Sequence, residues 1–152
     1  MKRVLLSLLV IVSLFVVVGC DKSNTNGTSS DNLHKAEFKD MRYNEPKNYS
    51  KKEPMDMDEY KSLVYRFNDD EKKTINLYYN TNTSQFYNNE DNNYEEVEIN
   101  GFKWKKFHDD DFGVVYDTYL YVYKDALYTI ELNAVDKYKD EFDAFMKDVS
   151  FE

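Results

Sequence analysis

The stretch "VEINGFKW" limits the fold more than any other part of this chain. Asn100-Gly101 is the preferred pair for a two-residue type I′ hairpin turn, because both central residues of that turn need positive φ. Glycine has no Cβ to clash there, and asparagine tolerates the left-handed region. The turn sets a register, placing Ile99 opposite Phe102 and Val97 opposite Trp104. Strands joined by so tight a turn are antiparallel.

The flanking segments extend this pattern. "VVYDTYLYVY" alternates, with Val114, Tyr116, Thr118, Leu120 and Val122 on one face. Val115, Asp117, Tyr119, Tyr121 and Tyr123 fall on the other. "KDALYTIEL" pairs back, with Ala126, Tyr128, Ile130 and Leu132 on its apolar face. Upstream, "SLVYRFN" and "TINLYYN" alternate around Leu63, Tyr65, Phe67, Ile75, Leu77 and Tyr79, and "NDDEKK" joins them as a hairpin. "MRYNEP" is a short extended piece, since a residue before proline is pushed out of the helical region. Residues 80–94 read as a polar loop pinned by Phe86 and Tyr87.

Near the C-terminus the period changes. Tyr138, Phe142, Phe145, Met146 and Val149 recur at helical spacing and form one apolar stripe. Asp136 is the expected N-cap, and "VSFE" closes as a short strand. These readings predict an α+β domain, a mostly antiparallel β-sheet with one or two packed helices. The run from "VEINGFKWKKF" through "DTYLYVYKDALYTIELNA" to "YKDEFDAFMKDVSF" resembles the C-terminal half of PsbP-like domains, with Phe145 and Phe151 filling the ends of its final element. That resemblance implies a PsbP-like α/β sandwich and an accessory, protein-binding role.

The N-terminus has a separate logic. Lys2 and Arg3 are followed by residues 4–19, which carry no charge and are mostly Val and Leu. A membrane span needs roughly 20 apolar residues, so the run is short for one, and a surface helix would need a polar stripe that it lacks. "VVGC", Val17 to Cys20, resembles the lipobox of bacterial lipoproteins. The resemblance implies a signal peptide over residues 1–19, a diacylglycerol thioether on Cys20 and cleavage between Gly19 and Cys20. Two acyl chains, palmitate among the fatty acids expected, would hold the protein on the membrane where one would not. An ordinary signal peptide with a coincidental cysteine and a single-span anchor are the alternatives. Residues 20–35, the lipidated cysteine and "DKSNTNGTSSDNLHK", are too polar to form a core and read as a tether. Residues 36–152 form the single domain.

Composition narrows the function. Acids outnumber bases 29 to 20, for a net charge of −9. That argues against nucleic acid, which demands a basic footprint, and against electrostatic docking on anionic lipid. The lone cysteine excludes an internal disulfide and leaves no Cys/His set for zinc. Lysine exceeds arginine 17 to 3, a usage similar to that of low-GC Gram-positive bacteria. "HDDDFG" and "NNEDNNYEE" lack the spacing of a calcium loop. No Gly-x-Ser-x-Gly or phosphate-cradling loop is present, so neither catalytic residue, metal nor cofactor is assigned. His108 reads as a solvated residue at a strand end.

Tyr119, Tyr121 and Tyr123 are the candidate binding surface, since tyrosine rows favour interfaces; the alternative is that a second layer covers them. The expected protein is a lipid-anchored module on the outer face of the cytoplasmic membrane that binds a protein or envelope component without catalysis. An immunity lipoprotein against a secreted toxin and an envelope hydrolase are competing readings. A further one takes residues 12–19 as the source of a released hydrophobic pheromone peptide.

Overall fold

The structure is a computed structural model and describes residues 35–84 and 93–152. Among the described residues ten strands and one helix follow in chain order. They are β1 (Lys35–Phe38), β2 (Met41–Asn44), β3 (Tyr49–Asp56), β4 (Tyr60–Phe67), β5 (Thr74–Asn80), β6 (Glu95–Ile99), β7 (Phe102–Asp111), β8 (Val114–Tyr123), β9 (Ala126–Asn133), α1 (Val135–Asp148) and β10 (Ser150–Phe151). Seven strands form one antiparallel sheet in the order β3-β4-β5-β9-β8-β7-β6, and β1-β2-β10 form a second, three-stranded sheet.

Local chemistry explains the hairpins. Asn100 and Gly101 have φ of 54° and 79°, as the type I′ turn requires. Their hairpin pairs Ile99 with Phe102 and Val97 with Trp104, and sets Glu95, Glu96 and Glu98 opposite Lys106, Lys105 and Lys103. Opposite charges thus face each other along both sides of the ribbon. Two further tight turns have positive φ at both central residues, Phe112-Gly113 and Lys124-Asp125. Neither displays the Asn-Gly signature. In the second, Lys124 donates to Asp40 Oδ1 at 3.1 Å and to the Glu152 carbonyl at 3.0 Å, tying the turn to the small sheet.

The expected α/β sandwich with one or two helices is corrected. Among the described residues strands make up 60% and α1 is the single helix element. The layer over the large sheet combines α1 with the three-stranded sheet, so the fold is more β-rich than a packed α+β domain. The small sheet escaped the sequence reading for a physical reason. Its strands are four, four and two residues long, and Met41 pairs with Phe151 across almost the whole domain. No local periodicity encodes a pairing of that range.

The covered face carries Leu63, Tyr65, Ile75, Leu77, Tyr128, Ile130 and Leu132 from the large sheet, all at most 1% exposed. Phe38, Met41 and Tyr43 come from the small sheet, and Phe142, Phe145 and Met146 from α1. Phe151 closes one end, its ring centroid 4.9–5.9 Å from those of Phe102, Trp104, Tyr121, Tyr123 and Tyr128. Trp104 Nε1 is buried with no hydrogen-bond partner among the described residues. Ser62, Leu120 and Leu127 are buried on the opposite face of the sheet.

α1 starts differently from expectation. Ala134, not Asp136, occupies the N-cap, in left-handed conformation at φ 67° with no side-chain cap. Its N–H donates to the Val115 carbonyl at 2.8 Å, which fixes where the chain leaves β9. Asp136 lies in the first turn, where its charge suits the helix dipole.

Removing the Phe151 ring should be costly. Phe151→Ala is expected to lower unfolding free energy by about 3 kcal/mol, measured by urea denaturation. Phe151→Leu should recover part of that loss. Equal stability of Phe151→Ala and wild type would show that the C-terminal strand is dispensable.

Candidate functional site

Gly19 and Cys20, the expected processing and lipidation residues, lie outside the described residues, as do Phe86 and Tyr87. The tyrosine row of β8 lies on the covered face. Tyr119 is 5% exposed, and Tyr121 and Tyr123 are half-buried against Phe151. Burial, and then the nearby Asp117 carboxylate, raise the Tyr119 phenol far above its usual range. Sequence alternation showed that the three tyrosines share a face, but not which face the helix and small sheet would take.

Beside this row lies a cluster that sequence reasoning did not find. His108 lies on β7 directly opposite Asp117 on β8. A carboxylate only accepts, so His108 Nδ1–H donates to Asp117 Oδ1, at 2.6 Å, and Nε2 points away. Lys106 Nζ lies 3.0 Å from Asp117 Oδ2, and the Tyr119 hydroxyl donates to the same oxygen at 3.5 Å. The Asp117 side chain is 12% exposed and that of His108 is 63% exposed. This is an oriented imidazole with a buried carboxylate behind it, the supporting half of an acid–base unit. Asp117 is the only hydrogen-bond partner of His108 among the described residues. The Phe112-Gly113 turn sets the His108–Asp117 register. It was unreadable because phenylalanine seldom occupies a left-handed turn position. Phe112 itself is 98% exposed at the tip of that hairpin, after Asp109, Asp110 and Asp111.

A second candidate is a cleft of about 400 Å³ between the β2–β3 connection, the β4–β5 turn and α1. Tyr49, Phe67 and Phe145 supply aromatic walls, and Glu45, Asp69 and Asp148 supply carboxylates. Lys73 is 2% exposed. Its ammonium lies 3.4 Å from the Phe67 ring centroid, 3.9 Å from that of Tyr138 and 2.6 Å from Glu141 Oε2. Two rings and one carboxylate therefore replace the water a lysine normally keeps. Tyr138 departs from helical backbone at φ −123°, and its hydroxyl donates to Asp70 Oδ2 at 2.9 Å, which holds the ring over the ammonium. Deeper, the Tyr43 hydroxyl lies 2.7 Å from that of Tyr65, which donates to Glu45 Oε1 at 3.4 Å. Burial pushes Tyr43 up to about 12, with nearby Glu45 adding to the rise.

Among the described residues, no group of three or more His, Cys, Asp or Glu is arranged to hold a metal ion. Among the same residues, no helix is long and apolar enough to cross a membrane.

The geometry defines a class, a two-layer, β-dominated domain in which α1 is the one helix element among the described residues. No protein-family model matches the chain, and no curated protein does. Its fold is similar to a crystal structure from Bacteroides thetaiotaomicron VPI-5482, with a TM-score of 0.52 and 9% identity, covering 74% of this chain and 45% of that one. The chain thus spans less than half the length of that structure, and the likeness is one of fold alone.

Two measurements probe the cleft. Lys73→Met replaces a caged ammonium by an apolar side chain of similar length, and thermal melting should leave it near wild type or above. Glu141→Gln removes the opposite charge while keeping an oxygen that can accept from the ammonium, and should cost about 1 kcal/mol, a figure kept small because Glu141 is largely exposed. In base, burial holds Tyr43 and Tyr78 neutral to about 12, against 10.0 for a free phenol. The stability they contribute is complete below pH 10 and is lost as pH rises through 12. Absorbance at about 295 nm should then show the buried tyrosines ionising together with unfolding. Ionisation of every tyrosine near pH 10 with the fold intact would contradict this.

Proposed function

We propose that this chain is a membrane-tethered extracytoplasmic lipoprotein whose β-rich domain binds a protein or cell-envelope partner without catalysing a reaction. The observation that carries the reading is "VVGC". A basic start and sixteen uncharged residues precede the single cysteine, and a polar stretch follows it. A small residue before the cysteine admits the backbone to a narrow processing site, and the thiol is the nucleophile that takes a diacylglycerol in thioether linkage. The polar stretch that follows Cys20, with residues 20–35 as the tether, would link a lipidated Cys20 to the domain. The binding role is favoured because the clefts are lined by aromatic and charged side chains suited to recognition, and because the best-oriented titratable pair, His108–Asp117, has no nucleophile beside it among the described residues.

The test is metabolic labelling with a tagged palmitate in a bacterial host, followed by fractionation and N-terminal mass analysis. Wild type should be labelled, membrane-bound and begin at Cys20, while Cys20→Ala should be unlabelled and keep residues 1–19. Wild type recovered unlabelled, with residues 1–19 attached, would replace the lipid anchor by a spanning segment.

A further inference from the structure

The two sheets have four edges, and the chain treats one of them differently. β3 is defended, with Lys51 and Lys52 along it, Pro54 within it and a register break between Lys52 and Met55. β1 is four residues long and β10 only two, too short to template another strand. β6 is five residues of regular ladder with no proline, lysine or bulge. Among the described residues β7 is its one neighbour, and the other side of its backbone has no strand partner among them.

Three features make this edge a prepared one. It is rigid: the Asn100 side-chain amide, at the turn that ends β6, donates to the carbonyls of Lys147 and Val149, the latter at 2.9 Å. The ribbon is thereby clamped to the end of α1. It is also charged, with Glu95, Glu96 and Glu98 exposed along five residues. Finally, it borders a groove of about 250 Å³ between β6 and α1, which Ile99, Tyr119, Met146 and Asp143 help to line. A strand laid beside β6 would send alternate side chains over that groove.

We propose that the free edge of β6 captures an extended segment of a partner protein in which basic and apolar residues alternate, adding an eighth strand to the large sheet. The backbone supplies the pairing. Basic side chains meet Glu96 and Glu98 on the open face, and apolar ones lie beside Val97 and Ile99 on the face that borders the groove. Charge excludes a second copy of this chain, because β6 against β6 would set glutamates opposite glutamates. The defences of β3 exclude it as the complementary edge. The inference rests on the binding-module reading above and names the mode of binding.

The test uses the full-length chain in detergent and a fluorescent seven-residue peptide of alternating Lys and Val. Anisotropy should report saturable binding, and hydrogen exchange should show slowed amides confined to β6. Methylating alternate backbone nitrogens of the peptide should abolish both signals. Glu96→Lys with Glu98→Lys should weaken binding by roughly tenfold at low salt and shift preference to an alternating Glu and Val peptide, with folding checked by thermal melting. Protection at the α1 cleft instead of β6, or binding indifferent to backbone methylation, would overturn the proposal. So would β6 amides already protected in the free chain, whether by a second copy (dependent on concentration) or by the chain itself. If the peptide fails to bind while palmitate labelling still depends on Cys20, the edge is refuted and the anchor stands.

Discussion

The fold depends on covering one aromatic face of a seven-stranded sheet, and Phe151 is where that covering closes. Its ring meets five others drawn from β7, β8 and β9. The backbone beside it completes a ladder, with Phe151 opposite Met41 and the Glu152 N–H donating to the Asp40 carbonyl at 3.2 Å. Aromatic burial supplies most of the driving force. The ladder gives it direction, because β10 becomes the third strand of the small sheet only when it returns to β2. Asp40 joins the same knot, accepting from the Tyr128 hydroxyl at 2.9 Å and from Lys124. Lys124 and then Tyr128 hold its carboxyl below the ordinary range, so this contribution is present at neutral pH and fades as pH falls through the Asp40 titration.

Polar groups within this covered layer are handled by local enclosure. Lys73 is surrounded by two rings and a carboxylate, and Asp117 is held by an imidazole, an ammonium and a phenol. Each arrangement replaces hydration with fixed partners, which is the condition for burying charge at tolerable cost. Trp104 Nε1 is the exception, and its large apolar ring outweighs one unsatisfied donor.

The hairpins centred on Asn100-Gly101 and on residues 68–73, the pairing of β8 with β9 and the amphipathic helix were legible because each is encoded by neighbours in sequence. The PsbP-like sandwich was not upheld, because the second layer is partly a sheet of very short strands. The burial of Tyr119 and the His108–Asp117 pair were hidden for related reasons. Both faces of β8 carry large residues, and the turn that sets the pair has phenylalanine where glycine or asparagine would have announced it.

Sequence alone therefore determined the antiparallel ribbons, their registers at Asn100-Gly101 and the helix stripe, since periodicity and turn chemistry act over a few residues. It also supplied Cys20 and its surroundings, the basis for proposing a lipid anchor. Tertiary structure decided which face of β8 would be core, which strands would be left at an edge and which charges would be enclosed. Those outcomes depend on what packs across the sheet, and the packing brings Met41 to Phe151 and Asp40 to Tyr128 over separations that no local pattern spans.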